Sequence, residues 1–461
     1  MNTAKKVLAV ALALIMVLAM VACGSGTTAP ATETKTESST GSAPAASEPK
    51  KEEAAPAATT EKTEEKPADK QEVAQPTVSM LVTDESEYAK MTEEELYQEA
   101  LKEYADGHTL VVYSETSSTE KSTKKFEEAY PGLTVEVSKK KAKDLVTLIP
   151  QEAKSTTAYS DLVITSDSTG SIYEEWYKNG YVLAYYPADV TDLNQDYVAY
   201  GLPITIECNV WYYNTEMYPD GCPITNWWQL LEQNEDGSYK YKLCTHPAST
   251  LSLASDFCNM VLHGDEFAKA YEDLYGKPLE YTYPADELGV EPNNAGYEWI
   301  YRYLQSSYTL FTDSDEICTY VDSATADTAD GTPIFGYGTG IKLGDAHDNG
   351  MKVDYITDIA PFSGFAKTKY VYIRTNTDNP AAARLFTLFS LGGKDATGNG
   401  YDAYVNRTGC YPTRANRDEL QFNPDHPLAS VHSLPTNLEY VYEHYVDIQD
   451  FFEYYAAAFK K

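Results

Sequence analysis

Two hydroxyl-rich segments have residue types and spacing that suit ligand binding. Residues 114–118 (SETSS) follow the predicted strand 109–113, and residues 166–168 (SDS) follow the predicted strand 161–165. Each segment leads into a predicted helix, whose first N–H groups and dipole favour an anion or another hydrogen-bond acceptor. Ser, Thr and Asp also cap helices in proteins of every kind, so capping alone is an alternative explanation. Two such segments at equivalent strand ends favour a binding site.

The sequence lacks the common signatures of catalysis. No GxSxG, HExxH, P-loop or GxGxxG pattern occurs in it. Its seven histidines lack the spacing of metal ligands, and His426 and His432 lie in a loop interrupted by proline. We therefore expect a protein that is not an enzyme and that binds no metal or cofactor.

The elements that would position these segments alternate along the chain. Thr92 and Glu95 form a capping box that predicts a helix over 92–105. Strands are predicted at 109–113, 133–137, 161–165, 241–244, 333–337, 353–357 and 370–374, and helices at 120–130, 142–154, 168–178, 226–234, 249–262, 294–306, 379–391 and 436–459. The β-α-β-α-β order at the start predicts a parallel sheet covered by helices, with ligands outside the carboxyl ends of its strands.

Length and charge limit the architecture and the partners. The globular pattern begins near residue 88 and continues for about 370 residues, more than one core usually holds, so we expect two lobes. The net charge of −34 suits a soluble extracellular surface and argues against nucleic-acid partners. We expect a monomer.

Six cysteines follow Cys23: Cys208, Cys222, Cys244, Cys258, Cys318 and Cys410. None has CxxC spacing, which makes a zinc site improbable. Outside the cell they would form up to three disulfides, whereas free buried thiols are the alternative. The sequence leaves both open.

The N-terminus predicts an exported lipoprotein. Lys5 and Lys6 precede an apolar stretch, residues 7–22, of the length of a signal peptide's hydrophobic region. Ala22 and Cys23 end a permissive lipobox (MVAC), so we expect lipidation at Cys23 and a location on the outer face of a bacterial cytoplasmic membrane. An ordinary signal peptide with a chance cysteine and a permanent anchor helix are the alternatives. No other run approaches 18 apolar residues, the least that predicts a membrane span.

Residues 24–80 have the composition of a disordered tether. They consist mostly of Ala, Pro, Thr, Ser, Glu and Lys and contain no aromatic residue, Leu or Ile, so they cannot bury enough apolar surface to fold. As a flexible coil the segment would average about 40 Å end to end and could stretch to about 190 Å.

Several segments resemble, in order, the substrate-binding lipoproteins of ABC importers in the type 2 periplasmic-binding-protein family, the group that includes ferric-iron and small-anion binders. They are 110–114 (LVVYS), 130–135 (YPGLTV), 159–164 (YSDLVI), 179–183 (NGYVL), 210–215 (VWYYNT), 223–231 (PITNWWQLL), 247–250 (PAST), 379–386 (NPAAARLF) and 409–414 (GCYPTR). Each is weak alone, but together they cover most of residues 108–420.

The resemblance implies two α/β lobes, each a mixed and mostly parallel sheet, hinged by crossing strands. The first lobe would combine about 108–208 with 355–461, and the second would span about 214–350. A solute would bind in the cleft between them and be delivered to an ABC permease. The cleft residues carried over from the family are Ser114, Thr116, Ser117, Ser166, Tyr213, Ser249 and Thr250, with Tyr337 and Ser363 on later loops.

The sequence departs from the family at positions that affect the ligand. His246 replaces an acidic residue before Pro247, and Glu115 would repel phosphate but suit a metal or an ammonium group. Ferric binders of the group use tyrosine phenolates, and this chain has 39 tyrosines, but adjacent tyrosines on a strand point to opposite faces. We favour a small organic or phosphorylated anion; iron, sugars, peptides and polyamines are alternatives. A ligand sensor or surface protein without transport is the alternative function.

Overall fold

The structure is a computed structural model, and it describes residues 84–155, 159–325 and 331–460. The predicted lipidation site at Cys23 and the predicted tether, residues 24–80, lie outside the described residues. Within the described part of the chain, no helix is both long and apolar enough to cross a membrane.

Three parallel strands and their helices form the first half of the sheet. In chain order the elements are α1 (Glu93–Ala105), β1 (Leu110–Ser114), α2 (Ser118–Ala129), β2 (Val135–Lys139), α3 (Ala142–Ala153) and β3 (Leu162–Ser166). β1 pairs with β2 on one side and with β3 on the other, both parallel. The predicted β-α-β-α-β order is confirmed, and Thr92 and Glu95 form the predicted capping box. β3 is buried throughout because side chains from other elements pack on both faces of the sheet.

The segment after β3 differs from its prediction. An α-helix was predicted over 168–178, whereas the structure has a π-helical segment, Ile172–Tyr177. The Asp167 carboxylate accepts hydrogen bonds from the N–H groups of Thr169, Ile172 and Tyr173. Three backbone donors that converge on one side chain fix the turn between β3 and this segment.

The second half of the sheet contains strands and helices that the sequence pattern only partly predicted. In chain order they are β4 (Val182–Leu183), β5 (Leu202–Asn214), β6 (Lys242–Thr245), α4 (Leu251–Leu262), α5 (Gly264–Tyr275), α6 (Ala285–Leu288), α7 (Ala295–Gln305), β7 (Tyr308–Leu310), α8 (Ser314–Asp322), β8 (Ile334–Thr339), α9 (Lys342–Asp348) and β9 (Val353–Tyr355). β6 pairs in parallel with both β7 and β8, and β8 pairs antiparallel with β5. Residues 226–234, predicted as an α-helix, contain the 3₁₀ segment Trp227–Leu231.

Two long antiparallel strands, β5 and β10 (Gly364–Arg374), join the halves. β10 pairs with β3 through residues 369–373 and with β5 through residues 364–371. The other end of β5, residues 209–212, pairs with β8. Within the described residues the sheet therefore runs β2-β1-β3-β10-β5-β8-β6-β7. Each half is a mixed, mostly parallel sheet with flanking helices, which confirms the predicted two-lobe α/β fold hinged by crossing strands.

The chain ends with elements that pack on both lobes. They are α10 (Pro380–Ser390), α11 (Asn399–Val405), β11 (Cys410–Pro412), β12 (Ser433–Pro435) and α12 (Leu438–Phe459). α10 packs against α1 of the first lobe, whereas α12 packs against α4 and α7 and shares the second lobe's core. The resemblance assigned residues 355–461 to the first lobe, but this packing leads us to propose that the first lobe stops before α12.

The folded domain begins before residue 88, where the sequence pattern placed its start. The Asp84 carboxylate lies 2.5 Å from Nε of Arg384, and both side chains are almost fully buried. The Arg384 guanidinium also donates to the Ser86 hydroxyl. Residues 84–87 therefore belong to the domain rather than to the tether.

All six cysteines of the described residues are free. Five are buried, and burial raises the pKa of the Cys208 thiol to about 12. The structure therefore has free thiols, one of the two states that the sequence left open.

Candidate functional site

Two adjoining cavities lie where the loop after β3 in the first lobe faces the start of α4 in the second. The outer cavity has a volume of about 360 Å³ and is lined by residues 166–169, the start of α3, and Ser249 and Thr250. The inner cavity is more enclosed and has room for water-sized groups of about 20 Å³. Ser252 and Lys367 line both cavities, so the two form one polar site between the lobes.

Lys367 is the cation at the junction of the two cavities. It lies on β10 opposite Glu207 of β5, and its side chain is partly exposed. No ion pair or hydrogen bond to another described residue involves its ammonium group. A lysine that faces a cavity without a partner can bind an acidic ligand without losing an internal contact.

Asp256 is a buried carboxylic acid in the inner cavity. It lies on α4 and is 5% exposed, and its Oδ2 accepts a hydrogen bond of 2.6 Å from the Asn209 amide. The Tyr337 hydroxyl is nearby but outside hydrogen-bond geometry. Burial raises the pKa of Asp256 to about 7, although Asn209 and Lys367 favour the ionised form.

Asp167 lines both cavities, but its carboxylate is occupied by the three N–H groups that it caps. Burial raises its pKa to about 6 despite these donors. Asp167 therefore shapes the loop after β3 and adds a second titratable group to the site.

The start of α4 offers polar groups to the outer cavity. Thr250 is the N-cap residue, but its side chain accepts no capping hydrogen bond and donates instead to the Pro247 carbonyl. Ser249 is exposed, and no other described residue hydrogen-bonds to its hydroxyl. The α4 N-terminus and the exposed Lys141 and Lys143 at the start of α3 give the outer cavity a positive rim.

Three of the residues carried over from the family line the outer cavity: Ser166, Ser249 and Thr250. Residues of the first loop line neither cavity. Ser114 is buried with its Oγ 2.7 Å from that of Thr119, Thr116 accepts a hydrogen bond from the Ser118 N–H, and Ser117 is exposed. Their proposed contact with ligand stays a prediction.

Glu115 of that loop links the two predicted segments. Its carboxylate accepts hydrogen bonds from the Ser166 N–H, at 2.9 Å, and from the Thr165 hydroxyl, at 3.2 Å. It also stabilises the charged form of Lys369, which pairs with Glu207. Through these two hydrogen bonds the first loop stabilises the end of β3, where the loop after β3 begins.

Tyr213, Tyr337 and Ser363 are placed in the second lobe, outside the lining of both cavities. Tyr213 and Tyr337 belong to its buried aromatic core. Ser363 is fully buried and donates to the Thr357 carbonyl. A ligand role for these three also stays a prediction.

The sequence pattern missed Lys367 and Asp256, although both leave a signal. Lys367 interrupts a buried strand, and Asp256 is the one acidic residue in the apolar helix sequence of α4 (LSLASDFCNMVL). A charge within a buried element needs a partner or a function.

Solved structures of binding proteins from several bacteria resemble this chain. The chain matches no protein-family model and no curated protein. Iron-bound HitA from Pseudomonas aeruginosa has a similar structure, with a TM-score of 0.53 and 14% identity over 74% of this chain and 98% of that chain. The ferric iron-binding protein A of Mannheimia haemolytica in an open conformation has a TM-score of 0.52 and 14% identity over 77% of this chain and 100% of that chain. The substrate-binding protein of an Agrobacterium tumefaciens ABC transporter has a TM-score of 0.52 and 15% identity over 77% of this chain and 96% of that chain.

The chain has the fold of the periplasmic binding proteins. At these identities the likeness concerns the fold alone. In this binding-protein fold the two cavities lie between the two lobes and against one crossing strand, β10.

The tyrosines near the site bear on the iron alternative. Tyr197, Tyr200 and Tyr370 line the inner cavity, and burial raises the pKa of each phenol above its ordinary value. No group of three or more His, Cys, Asp or Glu residues is placed to hold a metal in the parts of the chain that the structure describes.

Proposed function

We propose that this protein is an extracellular solute-binding protein that captures a small ligand between its lobes and delivers it to an ABC-type importer. The observation that carries the proposal is the pair of cavities between the loop after β3 and the start of α4, with the unpaired Lys367 between them. The fold shared with the Agrobacterium transporter protein supports it. The protein would be a monomer anchored to the membrane through lipid on Cys23.

The polar groups of the outer cavity support an acidic ligand, an organic or phosphorylated anion. Lys367, the α4 N-terminus and the hydroxyls of Ser249 and Thr250 are donors or positive charges that an acidic group would pair with. Ser166 and Lys141 of the first lobe line the same cavity, so a ligand contacts both lobes and the crossing strand together only when the lobes are closed. Binding would therefore select the closed state, which a permease could recognise.

A ligand screen followed by substitution tests this proposal. Thermal unfolding of the full chain would be screened against anions, metals, sugars and amines, since a ligand at 100 times its dissociation constant adds about 2.7 kcal/mol. For a ligand that is found, we expect Lys367→Met and Ser249→Ala each to weaken binding by about 10-fold to 150-fold, the effect of a lost hydrogen bond to a charged group.

Lys121→Met is the matched control, because Lys121 is an exposed lysine of α2 outside both cavities. Small-angle scattering should show the ligand-bound protein to be more compact than the free protein. Unchanged affinity in both site variants, with no compaction, would contradict capture between the lobes.

A ligand sensor or a surface protein without transport would use the same site. Genes for a permease and an ATPase beside the gene for this protein would favour the importer role. Ferric iron stays in the screen as a ligand, although the cavity tyrosines are not ionised in the free protein at neutral pH.

A further inference from the structure

We propose that the ligand is a small zwitterion, whose ammonium group binds against Asp256 in the inner cavity and whose acidic group binds against Lys367 in the outer cavity. The inference rests on the proposed function, because it names the ligand class of the same site. It adds a positive group to the acidic ligand that the outer cavity alone would accept.

The sizes of the cavities fit the two ends of such a molecule. A single water needs about 10–15 Å³ of space, and an ammonium group is similar in size to a water molecule. The inner cavity, at about 20 Å³, therefore has room for one such group. The outer cavity, at about 360 Å³, has room for the rest of a small organic molecule.

The inner cavity has an excess of acidic groups. Asp167, Asp196 and Asp256 line it, and among the described residues Lys367 is its one lysine or arginine. No ion pair joins Lys367 to Asp256, and the Asp256 carboxyl has only the Asn209 amide as a hydrogen-bond donor of good geometry. A buried carboxylate without a cation is costly, and a ligand ammonium would supply that cation.

The outer cavity has the opposite excess. Lys141, Lys143 and Lys367 line it, together with the α4 N-terminus, and Asp167 is the one acidic side chain that the described part of the chain contributes. The carboxylate of Asp167 is already bonded to three backbone N–H groups. The charge of the site thus changes from positive to negative between the outer and the inner cavity, which matches a ligand with separated charges of both signs.

The affinity of such a ligand depends on pH through Asp256. The titratable groups around it are Lys367 on β10, Tyr337 on β8, Cys208 on β5, Cys258 on α4 itself, and Asp167 and Asp196 in the lining of the inner cavity. Burial raises the pKa of Asp256 to about 7, and an ammonium group needs the ionised form. Zwitterion binding should therefore weaken as the pH falls below about 7, by up to about 10-fold per pH unit. A simple anion would show the opposite trend, because protonated Asp256 no longer repels it.

The experiment measures affinity for matched probes by calorimetry on the full chain in detergent. The zwitterions are β-alanine, 4-aminobutyrate and phosphoethanolamine. Propionate, butyrate and ethyl phosphate lack the ammonium group, and ethylamine lacks the acidic group. We expect at least one zwitterion to bind 30-fold or more tighter than both of its partners at about pH 8, and to weaken at about pH 5.5. Asp256→Asn, which keeps an acceptor for Asn209, should remove the preference and leave only the smaller pH dependence that comes from Asp167. Glu120→Gln, at an exposed residue of α2, should change neither.

The outcomes separate this inference from the proposed function. If a deaminated probe binds as tightly as its zwitterion, or if the screen finds only a metal, a sugar or a simple anion, the zwitterion is wrong while capture between the lobes stands. If no compound of the screen binds and scattering shows no compaction, both are wrong. The comparison among probes uses the unaltered protein, so it decides the question even if Asp256→Asn fails to fold.

Discussion

The buried carboxyl of Asp256 makes the stability of the folded protein depend on pH. Its pKa in the folded protein, about 7, lies above the ordinary value of 3.8 because the carboxyl is buried. Between these two values the folded protein binds a proton that the unfolded chain releases. Protonated Asp256 therefore stabilises the folded state most below about pH 4, and this stabilisation is lost as the pH rises to about 7. Asp167, with a pKa raised to about 6, acts in the same direction.

Asp256→Asn should therefore stabilise the ligand-free protein at pH 8. The amide carries no charge and can still accept the hydrogen bond from Asn209, so we expect a gain on the order of 1–4 kcal/mol. At about pH 4 the two proteins should be equally stable, because Asp256 is then protonated. Urea unfolding at both pH values measures this, and a less stable variant at pH 8 would show that the carboxylate has a stabilising role in the fold.

The residues of the site differ in how far the sequence could predict them. Ser166, Ser249 and Thr250 follow strands or precede helices, and such positions are readable from a sequence pattern. Lys367 and Asp256 lie inside a strand and a helix, and their exposure to a cavity depends on which elements pack opposite them. That packing is set by the pairing of β5 with β10, which no local pattern contains.

At the scale of elements, the contact between β5 and β10 is unusually close at Gly364. A Cβ atom at this position would lie 1.8 Å from the carbonyl oxygen of Asn209, a backbone atom that cannot rotate away. Glycine is therefore required where the two crossing strands meet beside the site.

Gly364→Ala should be strongly destabilising, because one of the crossing strands would have to shift. We expect a loss of about 1–3 kcal/mol or more, as for other overpacked cores. Gly340→Ala is the control, since its Cβ would lie 3.3 Å from the nearest atom, the Cys208 carbonyl oxygen. Chemical unfolding of both variants measures the difference, and equal stabilities would mean that the crossing strands separate easily.

Elements with continuous apolar runs were predicted well, and those with mixed patterns were not. β1 and β3 are central strands, so their sequences are apolar on both faces. β5 is buried over its whole length but contains Thr205, Glu207 and Asn209, and its first half was missed. Those polar residues are satisfied by other elements, for example Glu207 by Lys369, and a single sequence does not reveal such partners.

At the scale of the whole molecule, the start of the folded domain has a sharp test. A protein that starts at residue 81 should be as stable as the full chain, because residues 24–80 contain no aromatic residue, Leu or Ile. A protein that starts at residue 88 loses Asp84 and leaves the buried Arg384 without its carboxylate, which should cost about 3–5 kcal/mol. Thermal unfolding of both shortened proteins decides this, and equal melting temperatures would contradict a structural role for Asp84.

The membrane anchor is tested by Cys23→Ser. If Cys23 carries the lipid, the substitution should leave the precursor unprocessed or release the protein from the membrane. Metabolic labelling with a fatty acid measures this, with Cys222→Ser as a control cysteine outside the lipobox. Equal labelling of Cys23→Ser and the unaltered protein would exclude the lipobox.

The position of β10 in the sheet has a consequence for export. β10 inserts between β3 and β5, although it follows β3 by about 200 residues in the chain. Until residue 374 has been synthesised, β3 and β5 lack their shared neighbour, and the two halves of the sheet cannot join. If the protein is exported, as we propose, a chain of this topology would remain open to a secretion channel or chaperone while the missing strand is being made. The same crossing strand that would bring Lys367 to the ligand would then also hold back the final assembly of the sheet until late in synthesis.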